Sequence, residues 1–248
     1  MSPASAPRLV ALWGSEHEVL GEVALESLGP DLVAALSRGR FPKGYRHLDL
    51  NEDGALAATD GRSTVMAVVD GHQGFDAARA ALQAVTRCVP LLLGSATGAH
   101  EPAVRHCLAE ASRAVVDELS RLEGERRAGG AALSVALVGP GRVTVGSAGD
   151  CVAVVLRGSR ARVVGRPGPF LGDRPISGKG LVAHASLRTG GQLLLATDGV
   201  TEFLGRGWRR RVAELAEGAA PADLAGRLME AAFRGGAGDN IAVVVARV

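Results

Sequence analysis

Short apolar runs separated by turn residues dominate the chain from residue 54 onward. Residues 55–58 and 65–69 flank the segment TDGR, a hairpin signal in which Asp60-Gly61 supplies the turn. Residues 76–93 are rich in Ala and Leu and predict a helix. A second helix is predicted over 101–122, where Val104, Leu108, Ala111, Val115, Leu119 and Leu122 recur on one helical face. Strands are then predicted at 132–138 and 142–148 around GPG, and at 152–157 and 161–164 around GSR. Residues 165–180, rich in Gly and Pro, read as a surface loop or flap. Strands follow at 181–186 and 192–196 and helices at 208–217 and 221–233, with Pro221 suited to a first helical turn. The chain closes on a strand at 241–245. Upstream the pattern is weaker: residues 8–13 suggest a strand and 16–38 a partly helical segment.

Strands arrive in hairpin runs and helices in pairs, without the regular βαβ alternation of a parallel sheet. This predicts an α+β fold with antiparallel sheets and helices on their outer faces. With 248 residues and no repeat or low-complexity linker, one domain over 1–248 is expected. Hydrophobic residues are 47% and charged residues 22%, so the chain can bury a core and is not of disordered composition. Aromatics are only 3%, which leaves Ala, Val and Leu to build that core. A net charge of +2 and the lack of interleaved basic and aromatic residues argue against nucleic acid as a partner. Cys88, Cys107 and Cys151 show no zinc spacing, and scattered cysteines fit a reduced, cytoplasmic compartment. Neither a signal peptide nor an apolar run of about 18 residues is evident, so no membrane association is expected.

Four acidic positions share one setting, the edge of an apolar run beside Gly or a turn. Glu52-Asp53 precedes the first hairpin strand, Asp70-Gly71-His72 ends VMAVV, Asp198-Gly199 ends QLLLAT, and Asp239-Asn240 opens IAVVV. An isolated Asp-Gly is an ordinary turn dipeptide. Several carboxylates projecting from strand ends into one cleft need a cation to offset their repulsion. Oxygen ligands without thiols or paired imidazoles suit Mg²⁺ or Mn²⁺.

The segments NEDG (51–54), VMAVVDGHQG (65–74), VTVGSAGDCVAVV (143–155), LLLATDGVTEF (193–203) and GDNIAVVV (238–245) resemble, in order and spacing, the metal-dependent protein phosphatases of the PPM class, or protein phosphatase type 2C family. The resemblance runs from about residue 46 to the C-terminus, and the Ala/Gly/Arg-rich composition is compatible with a bacterial type. It implies an α-β-β-α sandwich of two antiparallel sheets flanked by helix pairs. It also implies a serine/threonine phosphoprotein phosphatase with two Mn²⁺ or Mg²⁺ ions. Asp70 resembles the bridging ligand, the Gly71 carbonyl a ligand of one ion, and Asp53, Asp198 and Asp239 the remaining ligands, with Glu52 acting through water. By the same resemblance, a metal-bridged hydroxide attacks phosphorus in line and His72, as general acid, protonates the departing oxygen. Phosphoserine and phosphothreonine proteins, and a Ser/Thr kinase with its substrates, are the implied partners.

The sequence departs from the family pattern around Arg46, at the GTTA-type strand start, and in EGERRAG, which lacks the aspartate that the family associates with a third metal. Arg46 in YRHLDLNEDG is the candidate phosphate-binding residue, but it lies farther from Glu52 than the family's spacing. GGAAL replaces the family's GTTA-type strand start. Glu202 stands where a third-metal ligand often occurs, and equally suits the start of a helix. Asp150 reads as a turn residue and Cys151 as a packed thiol. The alternative reading is a PPM-like pseudophosphatase that binds phosphoproteins or serves as a scaffold.

Overall fold

The computed structural model describes residues 6–44 and 50–248. The chain runs through β1 (Arg8–Trp13), β2 (Ala24–Ser27), β3 (Leu32–Ser37), β4 (Gly54–Thr59) and β5 (Thr64–His72). Helices α1 (Asp76–Gly94) and α2 (His100–Leu119) follow. Then come β6 (Gly130–Gly139), β7 (Arg142–Ala148), β8 (Val152–Arg157), β9 (Arg160–Val164), β10 (Val182–Ser186) and β11 (Gln192–Ala196). Helices α3 (Asp198–Leu204), α4 (Trp208–Ala216) and α5 (Pro221–Arg234) lead into β12 (Ile241–Arg247).

Two six-stranded sheets result, ordered β1-β4-β5-β6-β7-β10 and β2-β3-β12-β11-β8-β9. Three apolar clusters divide the molecule into layers. The first packs α1 and α2 on the outer face of the first sheet, through residues such as Leu82, Val85, Leu108 and Val115. The second lies between the sheets and includes Leu36, Met66, Val68, Leu193 and Val244. The third seats α3, α4 and α5 on the second sheet through Val200, Val212, Leu224 and Leu228. This is the expected α-β-β-α sandwich, with three helices rather than a pair on one side. Val104, Leu108, Ala111 and Val115 are fully buried, as the helical spacing in α2 predicts.

The structure corrects the reading of residues 16–38. Apart from a 3-10 turn at Gly14–Glu16, this stretch forms β2 and β3. Every residue of β3, LVAALS, is buried because β3 pairs with β2 on one side and β12 on the other. A run apolar on both faces carries no periodicity that separates strand from helix, so its pairing partners decide.

Antiparallel pairing gathers the acidic strand ends. In the first sheet Gly54 pairs with Val69, so Asp53, before β4, sits beside Asp70 near the end of β5. In the second, Ala196 pairs with Val243, so Asp198, after β11, sits beside Asp239, before β12.

Candidate active site

The four expected aspartates do gather, at one end of the sandwich. Asp53 and Asp70 are buried, and Asp198 and Asp239 partly so. Asp198 lies one step beyond its expected place. It is the first residue of α3, which puts its carboxylate in the first turn, where the helix dipole favours an anion. Glu202 follows four residues later on the same helical face, inside α3 rather than at its start. Carboxylate oxygens of Asp198, Glu202 and Asp239 all lie within 4.8 Å of one another.

Close backbone approaches hold these ends together. A Cβ at Gly199 would fall 2.0 Å from the Asn240 carbonyl oxygen, so only glycine lets α3 start against the turn before β12. A Cβ at Gly71 would meet the Glu52 carbonyl oxygen at 2.9 Å. The Thr197 hydroxyl donates to Asp53 Oδ2 at 2.7 Å and accepts from the Ala242 amide at 2.9 Å, tying the sheets together across the site. Asn240 Oδ1 accepts from the Glu52 amide at 2.8 Å, and its Nδ2 donates to the Arg38 carbonyl at 3.1 Å. Glu52 Oε1 in turn accepts from the Gly74 amide. Gln73 has a positive φ of 62°, so a non-glycine backbone is held in the left-handed region just past His72.

The electrostatics are those of crowded carboxylates. Burial pushes the Asp70 carboxyl well above the usual range, and Asp53, Asp198 and Asp239 push it further. Burial also raises Asp53, with Asp239 and Asp198 adding to the rise and Lys43 and the Thr197 hydroxyl opposing it. Asp198 is raised to about 6, first by burial and then by Asp239, Asp150 and Glu202. Asp150, expected as a turn residue only, thus belongs to the electrostatic surroundings of the site, and its Oδ1 has no hydrogen-bond partner among the described residues. Cys151 is a buried thiol, its pKa raised by burial and then by Asp70 and Asp53, which suits packing and not nucleophilic attack. Buried hard oxygen donors whose charges repel one another fit a divalent-cation centre.

Lys43, which the sequence did not single out, enters this cluster. Its Nζ lies 2.6 Å from Glu52 Oε2 and 3.1 Å from Asp239 Oδ1, with the side chain 3% exposed. Burial alone would lower its pKa, but Asp239 and Glu52 outweigh that and hold the ammonium charged. Thr197 and Asn240 were also missed as functional positions, although both stand inside the motif segments. Arg46 lies outside the described residues.

His72 flanks the carboxylates at the mouth of the site. Its Nε2 is buried without a hydrogen-bond partner among the described residues, 4.0 Å from Asp70 Oδ2, while the side chain as a whole is 44% exposed. The ring packs at 4.9 Å, tilted 60°, against Phe170 of the 165–180 loop. That loop is anchored. Leu171 exchanges both backbone hydrogen bonds with Ala131, and the Gly149 amide donates to the Pro169 carbonyl at 2.9 Å.

The family model for Stage II sporulation protein E (SpoIIE) matches residues 60–248. No curated protein matches the sequence. Among solved structures, a serine/threonine phosphatase of S. agalactiae is similar with a TM-score of 0.68 at 14% identity, covering 92% of this chain and all of that one. PppA, a regulatory component of the T6SS in Pseudomonas aeruginosa, is similar with a TM-score of 0.67 at 18% identity, covering 92% and 99%. The catalytic domain of the serine/threonine protein phosphatase PstP, in complex with two manganese ions, is similar with a TM-score of 0.62 at 23% identity, covering 91% and 99%. The fold and the family match agree, and this chain belongs to the SpoIIE family, whose domain is of the PPM phosphatase type.

Proposed function

We propose that this protein is a metal-dependent phosphatase acting on phosphoserine or phosphothreonine in proteins. The observation that carries the reading is the meeting of Asp53, Asp70, Asp198 and Asp239 at one end of the sandwich, three of them with carboxyls raised by burial and mutual repulsion. Two Mn²⁺ or Mg²⁺ ions would be held by these four carboxylates and the Gly71 carbonyl, with Glu52 contributing through water. Glu202, beside Asp198 and Asp239, is the residue available to a third ion. When bound, such ions neutralise phosphoryl charge and make hydroxide available as a nucleophile near neutral pH.

The chain's own groups do the rest. Asp70 and Asp53 set the position of the acidic floor, locked by the Thr197 hydroxyl and the β4–β5 register. His72, at the mouth, acts as the general acid that protonates the departing serine or threonine oxygen. Phe170 packs against the His72 ring. Arg46 is the candidate that binds the substrate phosphate. The partners are phosphoproteins, and a Ser/Thr kinase whose products the enzyme reverses. Cytoplasmic action is part of this reading; no helix among the described residues is long and apolar enough to cross a membrane. The contact of Lys43 with Glu52 and Asp239 favours the second reading, a PPM-like phosphoprotein-binding module of weak or no activity.

Hydrolysis of para-nitrophenyl phosphate and of a phosphothreonine peptide, with Mn²⁺, Mg²⁺ or EDTA, tests the reading. The expected result is metal-dependent turnover that is lost in Asp70→Ala. A folded protein that binds Mn²⁺ and turns over neither substrate would instead be the binding module.

A further inference from the structure

Only two of the chain's 28 basic Lys and Arg residues are lysines, Lys43 and Lys179. Lys179 is exposed on the 165–180 loop, whereas Lys43 is buried among carboxylates. Apart from Lys179, every Lys or Arg outside the acidic cluster is an arginine. At the acidic cluster the chain uses the compact, point-like ammonium, with three donors and no acceptor. The backbone leading to Lys43 is tied down. The Arg40 and Phe41 amides both donate to the Ala237 carbonyl, at 2.8 and 3.1 Å, and Asn240 holds the Arg38 carbonyl. This brings the segment after β3 against the turn that carries Asp239, and the lysine side chain reaches from there to Glu52.

We propose that Lys43 is a tethered cation that competes with a divalent ion for Glu52 and Asp239, so that metal loading and withdrawal of Lys43 are one linked equilibrium. The proposal rests on the reading of the cluster as a metal centre. An ammonium at 2.6 and 3.1 Å from these carboxylates stands where a doubly charged ion would draw on the same oxygens. Two cations sharing those oxygens in a buried setting repel each other strongly. In the metal-free protein Lys43 therefore supplies countercharge that holds Glu52 and Asp239 in place. Linkage makes the effect reciprocal: whatever factor Lys43 takes from metal affinity, metal takes from the Lys43 contacts.

The two lysines allow a test on the unaltered protein. Amine acetylation is followed by mass spectrometry in EDTA and at saturating Mn²⁺, with Lys179 as internal reference. Lys43 is expected to be protected in EDTA and to react about tenfold or more faster with Mn²⁺, while Lys179 reacts alike in both. In parallel, calorimetric titration with Mn²⁺ is expected to show about five- to tenfold tighter binding for Lys43→Met and no gain for Lys43→Arg. If Lys43 stays protected in Mn²⁺-saturated protein, or Lys43→Met folds and binds Mn²⁺ no more tightly, the competition is refuted. Should Lys43→Met fail to fold, the acetylation result decides. Absence of Mn²⁺ binding in the unaltered protein and in Lys43→Met overturns both this inference and the metal-centre reading. Competition without turnover upholds the inference and removes only the phosphatase reading.

Discussion

The two flanks of the acidic cluster carry similar charge and treat it differently. On one flank Glu52 and Asp239 receive the Lys43 ammonium, and Glu52 is further held by the Gly74 amide. On the other, Asp198 faces Asp239, Asp150 and Glu202, and of its main charged influences Lys43 is the weakest. The first flank is an ion pair within the chain itself. The second is an arrangement of like charges that repel one another. In the proposed metal centre the first flank would hold the shape of the site and the second would draw the cation.

Substitutions on the two flanks should therefore move metal-free stability in opposite directions. Glu52→Gln removes one partner of a buried pair and should cost about 3–5 kcal/mol in EDTA. Asp198→Asn removes a repelling charge and should stabilise the metal-free protein by about 1–2 kcal/mol at pH 7.5, while metal-dependent turnover falls about 100-fold or more. Chemical denaturation in EDTA reads both, and equal signs would erase the contrast between the flanks.

The same contrast predicts a pH dependence. The Asp198 carboxyl titrates at about 6 in the folded protein against an ordinary 3.8. A raised folded value means that the folded state holds the proton more tightly. Its stabilising contribution is complete below the ordinary value and is lost as pH rises through about 6. In EDTA, stability should fall by about 2–3 kcal/mol between pH 4 and pH 7.5 from this group, at 1.4 kcal/mol per pKa unit, with Asp53 and Asp70 acting in the same direction. Saturating Mn²⁺ should flatten the profile above pH 6. Stability in EDTA that rises over this window would show that the carboxylates are not in conflict.

A smaller effect is expected at Asn240, which bridges the flanks by binding the Glu52 amide and the Arg38 carbonyl. Asn240→Ala removes both of these bonds and should cost about 1–2 kcal/mol. It should also weaken protection of Lys43 from acetylation in EDTA, since the Lys43 segment hangs from the same tie.

From residue 54 onward the alternation of apolar runs and turn residues placed the hairpins β4–β5, β6–β7 and β8–β9 and the helices α1, α2, α4 and α5 close to where they stand. Those elements are legible because each buries one face and shows its period locally. The carboxylates were legible for a related reason: an acidic residue at the edge of an apolar run must leave the core where the strand ends. Asp198 was legible as a strand end but not as the start of α3, because its helix is too short to show a period.

By itself, then, the sequence determined the strand-and-helix series after residue 54, the acidic identity of the strand ends and the family to which their order points. Only the tertiary structure decided that residues 24–37 are strands, that Glu202 and Asp150 crowd Asp198, and that Lys43 pairs with Glu52 and Asp239. The physical reason is one of range. Periodicity reports which face of a local segment meets the core. An all-buried run such as β3, or one lysine in a segment without pattern, takes its structure from partners up to about two hundred residues away, as Asn240 holds Arg38 and Glu52 from the far end of the chain.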